Sequence, residues 1–315
     1  MAAVRGPLVF LYSLAGIAEV YIWKEGEAMK YSISNWIYGD EPLRITFQRL
    51  QRYGYDGVEL VGEPQRYDIQ EVNGLCQEFG LSVLSVLGWS IWPLERDLAH
   101  PDPQMRQKAL KYAAECVDLA VAVGAPLVVA IPASAGRTSP VGQPDSEKAW
   151  KEAVAREWDY AVESVKAAAA YAEERGVLVA IEPINRYESF LVNNVDQGLR
   201  FVQEVNSEVV KLHLDTFHMN IEDEDLAEAV RKAGSLLVNM HISDSNRGAV
   251  GHGHTDFKAL IWALKEINYQ GALTMEPVPP VPDAFMAISM EEFLPLRDVY
   301  AEECITRLRQ HEREV

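Results

Sequence analysis

The chain has 315 residues and a formal net charge of −18, because 29 lysines and arginines are outnumbered by 47 aspartates and glutamates. This acidity argues against a protein that binds nucleic acid or an anionic membrane surface, since both partners require clustered basic side chains. Hydrophobic residues make up 48% of the chain and charged residues 24%, which are ordinary globular values and exclude disorder as the global state.

Residues 1–28 are predicted to be an N-terminal extension with little role in the fold. Their apolar run, Pro7–Ile22, is interrupted by Glu19 and is not followed by the small-residue cleavage site of a signal peptide. The chain has three cysteines, set far apart, which indicate neither a disulfide framework nor a CxxC metal site. We therefore expect a cytoplasmic protein.

From Lys30 onward, short apolar runs alternate with longer amphipathic stretches, which is the pattern of βα units that build a parallel sheet. Eight runs are predicted to be strands: Tyr31–Trp36, Gly57–Leu60, Ser82–Leu87, Leu127–Ile131, Leu178–Glu182, Val210–Asp215, Leu237–His241 and Leu273–Glu276. Apolar residues near a helical period between them predict helices, most clearly over Arg106–Val123, Ser146–Arg175, Asp196–Val205, Leu226–Ala233 and Phe257–Ile267. A packing helix is predicted over Met290–Leu308.

Glycines recur just before the predicted strands, at Gly54, Gly80, Gly124, Gly176 and Gly271. Glycine there is typical of a helix C-cap, so the pattern predicts a repeated βα architecture without a linker. We interpret residues 29–315 as a single domain with a TIM (β/α)8 barrel fold. A doubly wound sheet is the alternative, but the first βα turn lacks the GxGxxG phosphate loop that is typical of that fold.

Four consecutive predicted strands end in a polar residue, namely Glu182, Asp215, His241 and Glu276. Because chemistry in a TIM barrel lies at the C-terminal ends of the strands, we expect these side chains to meet at one mouth. Such a set suits Mn²⁺, Mg²⁺ or Co²⁺ with positions left for a substrate. Any one of them could instead cap a helix or fill the core, but four on successive strands favour a metal site. His213 faces the same side as Asp215. It is either a hydrogen-bond donor to a metal ligand or part of the barrel interior.

Three sequence motifs surround these residues: Glu182-Pro183-x-Asn185-Arg186-Tyr187-Glu188, Asp215-Thr216-Phe217-His218-Met219-Asn220-Ile221-Glu222, and Asn246-Arg247-Gly248 followed by Gly253-His254. They resemble the D-tagatose 3-epimerase and D-allulose 3-epimerase family, which are ketose 3-epimerases of the xylose isomerase-like TIM barrel superfamily. The spacing of the four candidate ligands also agrees with that family.

The resemblance implies that Glu182, Asp215, His241 and Glu276 bind one divalent ion, most commonly Mn²⁺, with Co²⁺ or Mg²⁺ as alternatives. It further implies that Glu182 and Glu276 are the catalytic acid and base. One glutamate removes the C3 proton of a ketose, and the other returns a proton to the opposite face of a cis-enediolate.

Glu188, His218 and Arg247 match positions at which the resembled family contacts its substrate around O1 to O3. Without the motif, we would instead interpret Glu188 and Arg247 as members of a surface ion pair and His218 as a helix-start residue. His252 and His254 could suggest a second metal, but we interpret them as part of a loop, with only His254 matching the family. A small sugar is the implied partner, and dimers or tetramers are common in the resembled family.

The sequence departs from the family where Ser243-Asp244-Ser245 precedes Asn246, since free-ketose enzymes usually carry Gly-Glu-Asn there. The loop Pro132–Asp145, which contains Arg137, is predicted to be longer than a minimal one, and such loops shape the distal end of the sugar. Three tryptophans are candidate apolar walls for the carbon chain: Trp36, Trp89 and Trp92.

Three rival functions are weighed. An aldose-ketose isomerase or an inositol-catabolism isomerase of the same superfamily would use a similar site. A metal-dependent phosphodiesterase would need several metals and a basic face for nucleic acid, which the net charge of −18 disfavours. A non-catalytic sugar-binding barrel would not need two glutamates at one ion.

Overall fold

The computed structural model describes residues 29–88 and 94–315, in which eight parallel strands close into one barrel in chain order. The strands are β1 Lys30–Ser34, β2 Gly57–Val61, β3 Ser82–Leu87, β4 Leu127–Ala130, β5 Leu178–Ile181, β6 Val210–Asp215, β7 Leu237–Ile242 and β8 Ala272–Met275. The predicted TIM barrel is confirmed, and the doubly wound alternative is wrong because β1 pairs with β8. The proposed extension over residues 1–28, Trp89 and Trp92 lie outside the described residues.

Helices surround the barrel: α1 Leu43–Tyr53, α2 Ile69–Phe79, α3 Pro103–Val123, α4 Glu147–Glu173, α5 Val195–Val205, α6 Thr216–Glu222, α7 Leu226–Ala233, α8 Phe257–Glu266, α9 Ala284–Ala287 and α10 Leu296–Glu314. The helix predicted over Met290–Leu308 begins later and continues further, since α10 starts at Leu296 after a separate 3₁₀ turn. The predicted first strand ends at Ser34, because Asn35–Tyr38 form a 3₁₀ turn.

The glycines that follow helices adopt the left-handed conformation at four of the five predicted positions. Gly54, Gly80 and Gly124 are C-caps with φ of 79°, 66° and 72°, and Gly176 has φ of 68° in the turn after α4. The prediction is wrong for Gly271, because α8 ends at Glu266 and Asn268 takes the positive φ. A Cβ at Gly271 would lie 2.2 Å from the carbonyl oxygen of Val238, so glycine there permits close packing against β7.

The barrel is closed by contacts between its first and last strands. The Ser32 and Thr274 hydroxyls share a buried hydrogen bond of 2.6 Å between β1 and β8. Helix α10 adds to this closure, since Tyr31 donates a 2.7 Å hydrogen bond to Glu312. No helix among the described residues is both long and apolar enough to cross a membrane.

The three cysteines, Cys76, Cys116 and Cys304, are free thiols. Burial raises the pKa of Cys76 to about 11 and that of Cys304 to about 12, so both thiols stay protonated near neutral pH. The expectation of no disulfide framework is confirmed.

Candidate active site

Four buried side chains, Glu182, Asp215, His241 and Glu276, meet at the C-terminal mouth of the barrel, with exposed fractions of 0 to 3%. Asp215 and His241 lie near the ends of β6 and β7. Glu182 and Glu276 lie one residue beyond β5 and β8, where their amides still bond to the neighbouring strand. The sequence placed these four residues together, and the structure brings them together.

The imidazole of His241 is the centre of this cluster. Its Nδ1 lies 3.2 Å from Glu276, 3.4 Å from Glu182 and 3.9 Å from Asp215, yet has no hydrogen-bond partner among the described residues. Its Nε2 lies 3.0 Å from the carboxylate of Glu59, which can accept a hydrogen bond from an Nε2–H. The ring therefore directs Nδ1 toward three carboxylates.

Asp215 combines two roles that the sequence left as alternatives. Its Oδ1 accepts a 2.8 Å hydrogen bond from the amide of Phe217 and so caps α6. Its Oδ2 faces the cluster, where it receives a hydrogen bond from Arg247 and lies 3.6 Å from Nε2 of His218. A capping carboxylate can thus still offer its second oxygen to a ligand.

Arg247 donates hydrogen bonds to two of the candidate ligands. One guanidinium nitrogen donates to Asp215 and the other donates to Glu276 at 2.6 Å. Its backbone has a φ of 61°, in a loop whose amides converge on Asp244, including that of Gly251 at 2.7 Å. Burial opposes the charge of Arg247, but Asp215 and Glu276 outweigh burial and raise its pKa.

The charge balance of the cluster favours a bound cation. Burial raises the pKa of Glu276 to about 7, with Glu59 and Asp215 contributing, although His241 and Arg247 lower it. Burial opposes protonation of His241, but Glu276, Glu59 and Glu182 outweigh burial and raise its pKa well above the usual range. The carboxylates thus draw a proton onto a buried imidazole, and a divalent cation at Nδ1 would supply that positive charge instead. Three overlapping sets of described residues could each hold a metal ion, namely Glu182, His213 and His241; Glu59, His241 and Glu276; and Glu182, Asp215 and His218. Each of the four predicted ligands belongs to at least one of these sets, so their chemistry fits a divalent ion.

The predicted substrate contacts lie beside the cluster. Nε2 of His218 is 3.8 Å from Glu182, and its Nδ1 is 2.7 Å from the amide nitrogen of the Asn185 side chain. That same Asn185 nitrogen donates a 2.8 Å hydrogen bond to Glu188. Asn185 is thus the shared partner of two predicted contacts, while Arg247 approaches from the opposite loop.

Two residues of the first half of the chain belong to this site, although no polar role there was predicted for them. Glu59 is fully buried in β2 and also accepts a 2.7 Å hydrogen bond from Ser85. Its signal was a lone charge within the apolar run Gly57–Leu60. Trp36, expected only as an apolar wall, donates a 2.5 Å hydrogen bond to Glu276.

Three further histidines differ in their relation to the cluster. His213 is fully buried, with its ring 4.0 Å from that of His241, and neither of its nitrogens has a hydrogen-bond partner among the described residues. Its Nε2 lies 3.8 Å from Glu182, and with Glu182 and His241 it forms one of the sets that could hold a metal ion. His252 lies 2.7 Å from Glu303, and His254 lies 2.9 Å from Ser245, which supports their interpretation as loop residues.

The fold and the site together define a class of protein, namely a TIM barrel enzyme with an acidic, histidine-containing centre at its mouth. The sequence profile of the xylose isomerase-like TIM barrel family matches residues 47–294. The chain is 33% identical over 226 residues to an L-ribulose 3-epimerase from Methylomonas sp. (strain DH-1), covering 71% of this chain and 74% of the relative.

A D-psicose 3-epimerase from Ruminiclostridium cellulolyticum is 31% identical over 258 residues, covering 81% of this chain and 83% of the relative. The crystal structure of a D-psicose 3-epimerase with D-tagatose, from Clostridium cellulolyticum H10, superposes with a TM-score of 0.77 at 25% identity, covering 90% of this chain and 99% of that one. The chain belongs to the xylose isomerase-like TIM barrel family and, within it, to the ketose 3-epimerases, which are enzymes of the isomerase class.

Proposed function

We propose that the protein is a metal-dependent ketose 3-epimerase that inverts C3 of D-tagatose, D-fructose, D-allulose or a related keto-sugar. The observation that carries this proposal is the approach of three buried carboxylates, two of them glutamates, to Nδ1 of His241, which has no hydrogen-bond partner among the residues that the structure describes. A simple sugar-binding site does not require buried, repelling carboxylates, whereas proton transfer on both faces of one carbon requires two bases.

Glu182, Asp215, His241 and Glu276 would hold a divalent cation, for which we propose Mn²⁺. When bound, such a cation polarises the ketone of the substrate and makes the hydrogen on C3 more acidic. The distances of 3.2 to 3.9 Å from Nδ1 of His241 to the three carboxylates support a single shared position.

The two glutamates then have opposite tasks. One carboxylate takes the C3 proton, and the C–H electron pair forms the C2–C3 double bond of a cis-enediolate. The other carboxylate, in its protonated form, gives a proton to the opposite face of C3 and regenerates the ketone. Glu182 and Glu276 follow β5 and β8, which are separated by two strands of the barrel, so they can approach the sugar from different sides.

Neighbouring residues orient these groups. Trp36 and Arg247 each donate to one oxygen of Glu276, which holds its carboxylate in a defined direction. Arg247 and His218 can donate hydrogen bonds to the oxygens that become negative in the enediolate, and Glu188 can accept from a sugar hydroxyl.

The test is a panel of ketoses assayed with and without Mn²⁺ in deuterated water. We expect solvent deuterium at C3 of the epimerised product after each turnover, because removal and return use different carboxylates. Recovered substrate at early conversion should gain label more slowly, as measured by NMR of both sugars. Deuterium at C1 with formation of an aldose would indicate the rival isomerase, and an epimer without label at C3 would exclude the two-base mechanism.

A further inference from the structure

A buried ionic cluster lies outside the proposed centre, in the loops that follow β3 and β4. Arg137 donates a 2.7 Å hydrogen bond to Asp97 and a 2.5 Å hydrogen bond to Glu157 of α4. The side chains of these three residues, here called the Arg137 cluster, are 10%, 0% and 4% exposed. Burying charges so completely is unfavourable unless the partners stay fixed, so the cluster defines the position of its loops.

The Arg137 cluster also contacts the loop that follows β5. The guanidinium lies over the ring of Phe190 at 4.6 Å, and Arg137 forms an isolated parallel bridge with Ser189. The amide of the adjacent Gly136 donates a 2.7 Å hydrogen bond to the carbonyl oxygen of Glu188. Residues 188 to 190 of that loop thus contact Gly136 and Arg137.

Glu188 is therefore held from two directions. Its backbone is held by Gly136 beside the cluster, and its carboxylate is held by Asn185 at 2.8 Å. Asn185 also contacts His218, which lies next to Glu182 and Asp215. Among the described residues, the cluster reaches the proposed substrate contacts through the loop that carries Glu188.

We propose that Arg137 is a positioning residue for substrate binding, which fixes the loop that carries Glu188 without itself being a metal ligand. This inference rests on the proposed function, because it takes Glu188 as a substrate contact. A group that orders a binding loop lowers the free energy of the bound sugar and of the transition state alike. Its loss should therefore appear mainly in KM.

The experiment compares Arg137→Met with a matched control, Arg96→Met, using D-psicose as the substrate. Arg96 also pairs twice with a carboxylate, Glu63, at 2.6 and 2.8 Å, and lies over the ring of Tyr112 at 4.0 Å. These two partners, Glu63 and Tyr112, lie in the loop after β2 and in α3, not in the loop after β5 that carries Glu188. For Arg137→Met we expect KM to rise about tenfold while kcat falls less than about threefold, whereas Arg96→Met changes neither parameter more than about twofold.

A double-mutant cycle separates positioning from general weakening of the fold. In the Glu188→Gln background, the effect of Arg137→Met on KM should shrink from about tenfold to about twofold or less, because both changes act on one contact. Affinity for Mn²⁺ alone, measured by calorimetry, should be the same in Arg137→Met as in the unsubstituted protein. Additive effects on KM, or an equal rise in Arg96→Met, would overturn the proposal.

Hydrogen exchange tests the inference independently of activity. In the sugar-free protein, Arg137→Met should speed amide exchange in residues 133–140 and 185–190 by about tenfold, and Arg96→Met should not. Unchanged exchange overturns the positioning role, even if the unsubstituted protein proves inactive on ketoses. Inactivity of the unsubstituted protein would contradict the proposed function alone. Arg137→Lys and Asp97→Asn, which keep partial pairing, supply the same measurements if Arg137→Met does not fold.

Discussion

The two halves of the barrel carry different kinds of residue at the same mouth. In the second half, the strands β5 to β8 lead into Glu182, Asp215, His241 and Glu276, whereas β1 to β4 end in Ser34, Val61, Leu87 and Ala130. The first half still reaches the site, through Glu59 and Trp36. The difference indicates that the second half supplies the proposed ligands and bases, and that two side chains of the first half hydrogen-bond to them.

Metal removal should have the largest effect, because it takes away the ion that all four proposed ligands of the second half share. We expect EDTA to abolish activity and Mn²⁺ to restore it. Mn²⁺ at about 100 times its Kd should also stabilise the protein by about 2.7 kcal/mol, since the ion binds only the native state. Calorimetric melting should show this shift, and Asp215→Ala should lose it while Glu63→Gln, a substitution in the first half, retains it. Full activity in verified metal-free protein would contradict the metal site.

Replacing either proposed base should come next in size. Glu182→Gln and Glu276→Gln keep the side-chain volume but remove a proton acceptor, so each should lower kcat by roughly 10² to 10⁴-fold. One of them can still exchange the C3 hydrogen of the substrate slowly, because a single base suffices to form the enediolate. The control is Glu63→Gln in the first half, for which we expect near-normal turnover. Wild-type kcat in either site variant would exclude that glutamate as a base.

Substrate contacts should give intermediate effects. Arg247→Ala, His218→Ala and Glu188→Ala each remove charge-assisted hydrogen bonds of about 1.5 to 3 kcal/mol, which corresponds to about 10- to 150-fold in kcat/KM. His218→Ala and Glu188→Ala should leave Mn²⁺ binding intact, as calorimetry with the ion alone can establish. If Arg247→Ala keeps normal kinetics on the true substrate, its assigned role is wrong.

Glu59 tests the division between the halves most directly, because it lies in the first half and contacts His241, a proposed ligand of the second half. Glu59→Ala removes the acceptor for His241 Nε2 and should weaken Mn²⁺ binding by about 10 to 100-fold, because the ring loses its fixed orientation. Glu59→Gln retains an oxygen acceptor and should fall between this variant and the unsubstituted protein. Equal Mn²⁺ affinity in all three proteins would mean that the first half does not tune the centre.

The smallest effect concerns a carboxylate of the second half outside the site. Burial, together with Asp196, raises the pKa of Asp223 to about 6, although its hydrogen bond from the Val195 amide lowers it. A raised folded-state pKa means that stability is lost as pH rises from about 4 through 6. Asp223→Asn should abolish this loss. The melting temperature of Asp223→Asn minus that of the unsubstituted protein should therefore increase by about 1 to 3 °C as the pH rises from about 4 to about 6. A pH-independent difference would contradict the assignment.

The sequence predicted most of the second half, because a polar residue that ends an apolar strand is visible without any knowledge of contacts. Glu59 was missed since its partner, His241, lies 182 residues away and no local pattern links them. Arg137 was noticed only as part of a long loop, because its partners are 40 and 20 residues away. Gly271 was misassigned because a glycine before a strand can serve either a cap or close packing, and only tertiary structure distinguishes these.

The hydrogen bond between Ser32 and Thr274 has a consequence for how the protein is made. The two residues are 242 positions apart, and they join the first strand of the barrel to the last. At a synthesis rate of about 5 to 20 residues per second, β1 leaves the ribosome roughly 12 to 48 seconds before its partner β8 exists. During that interval one edge of β1 is open to pairing with other chains. Barrel closure is therefore a late step, and that period is when this protein is most in need of chaperone protection.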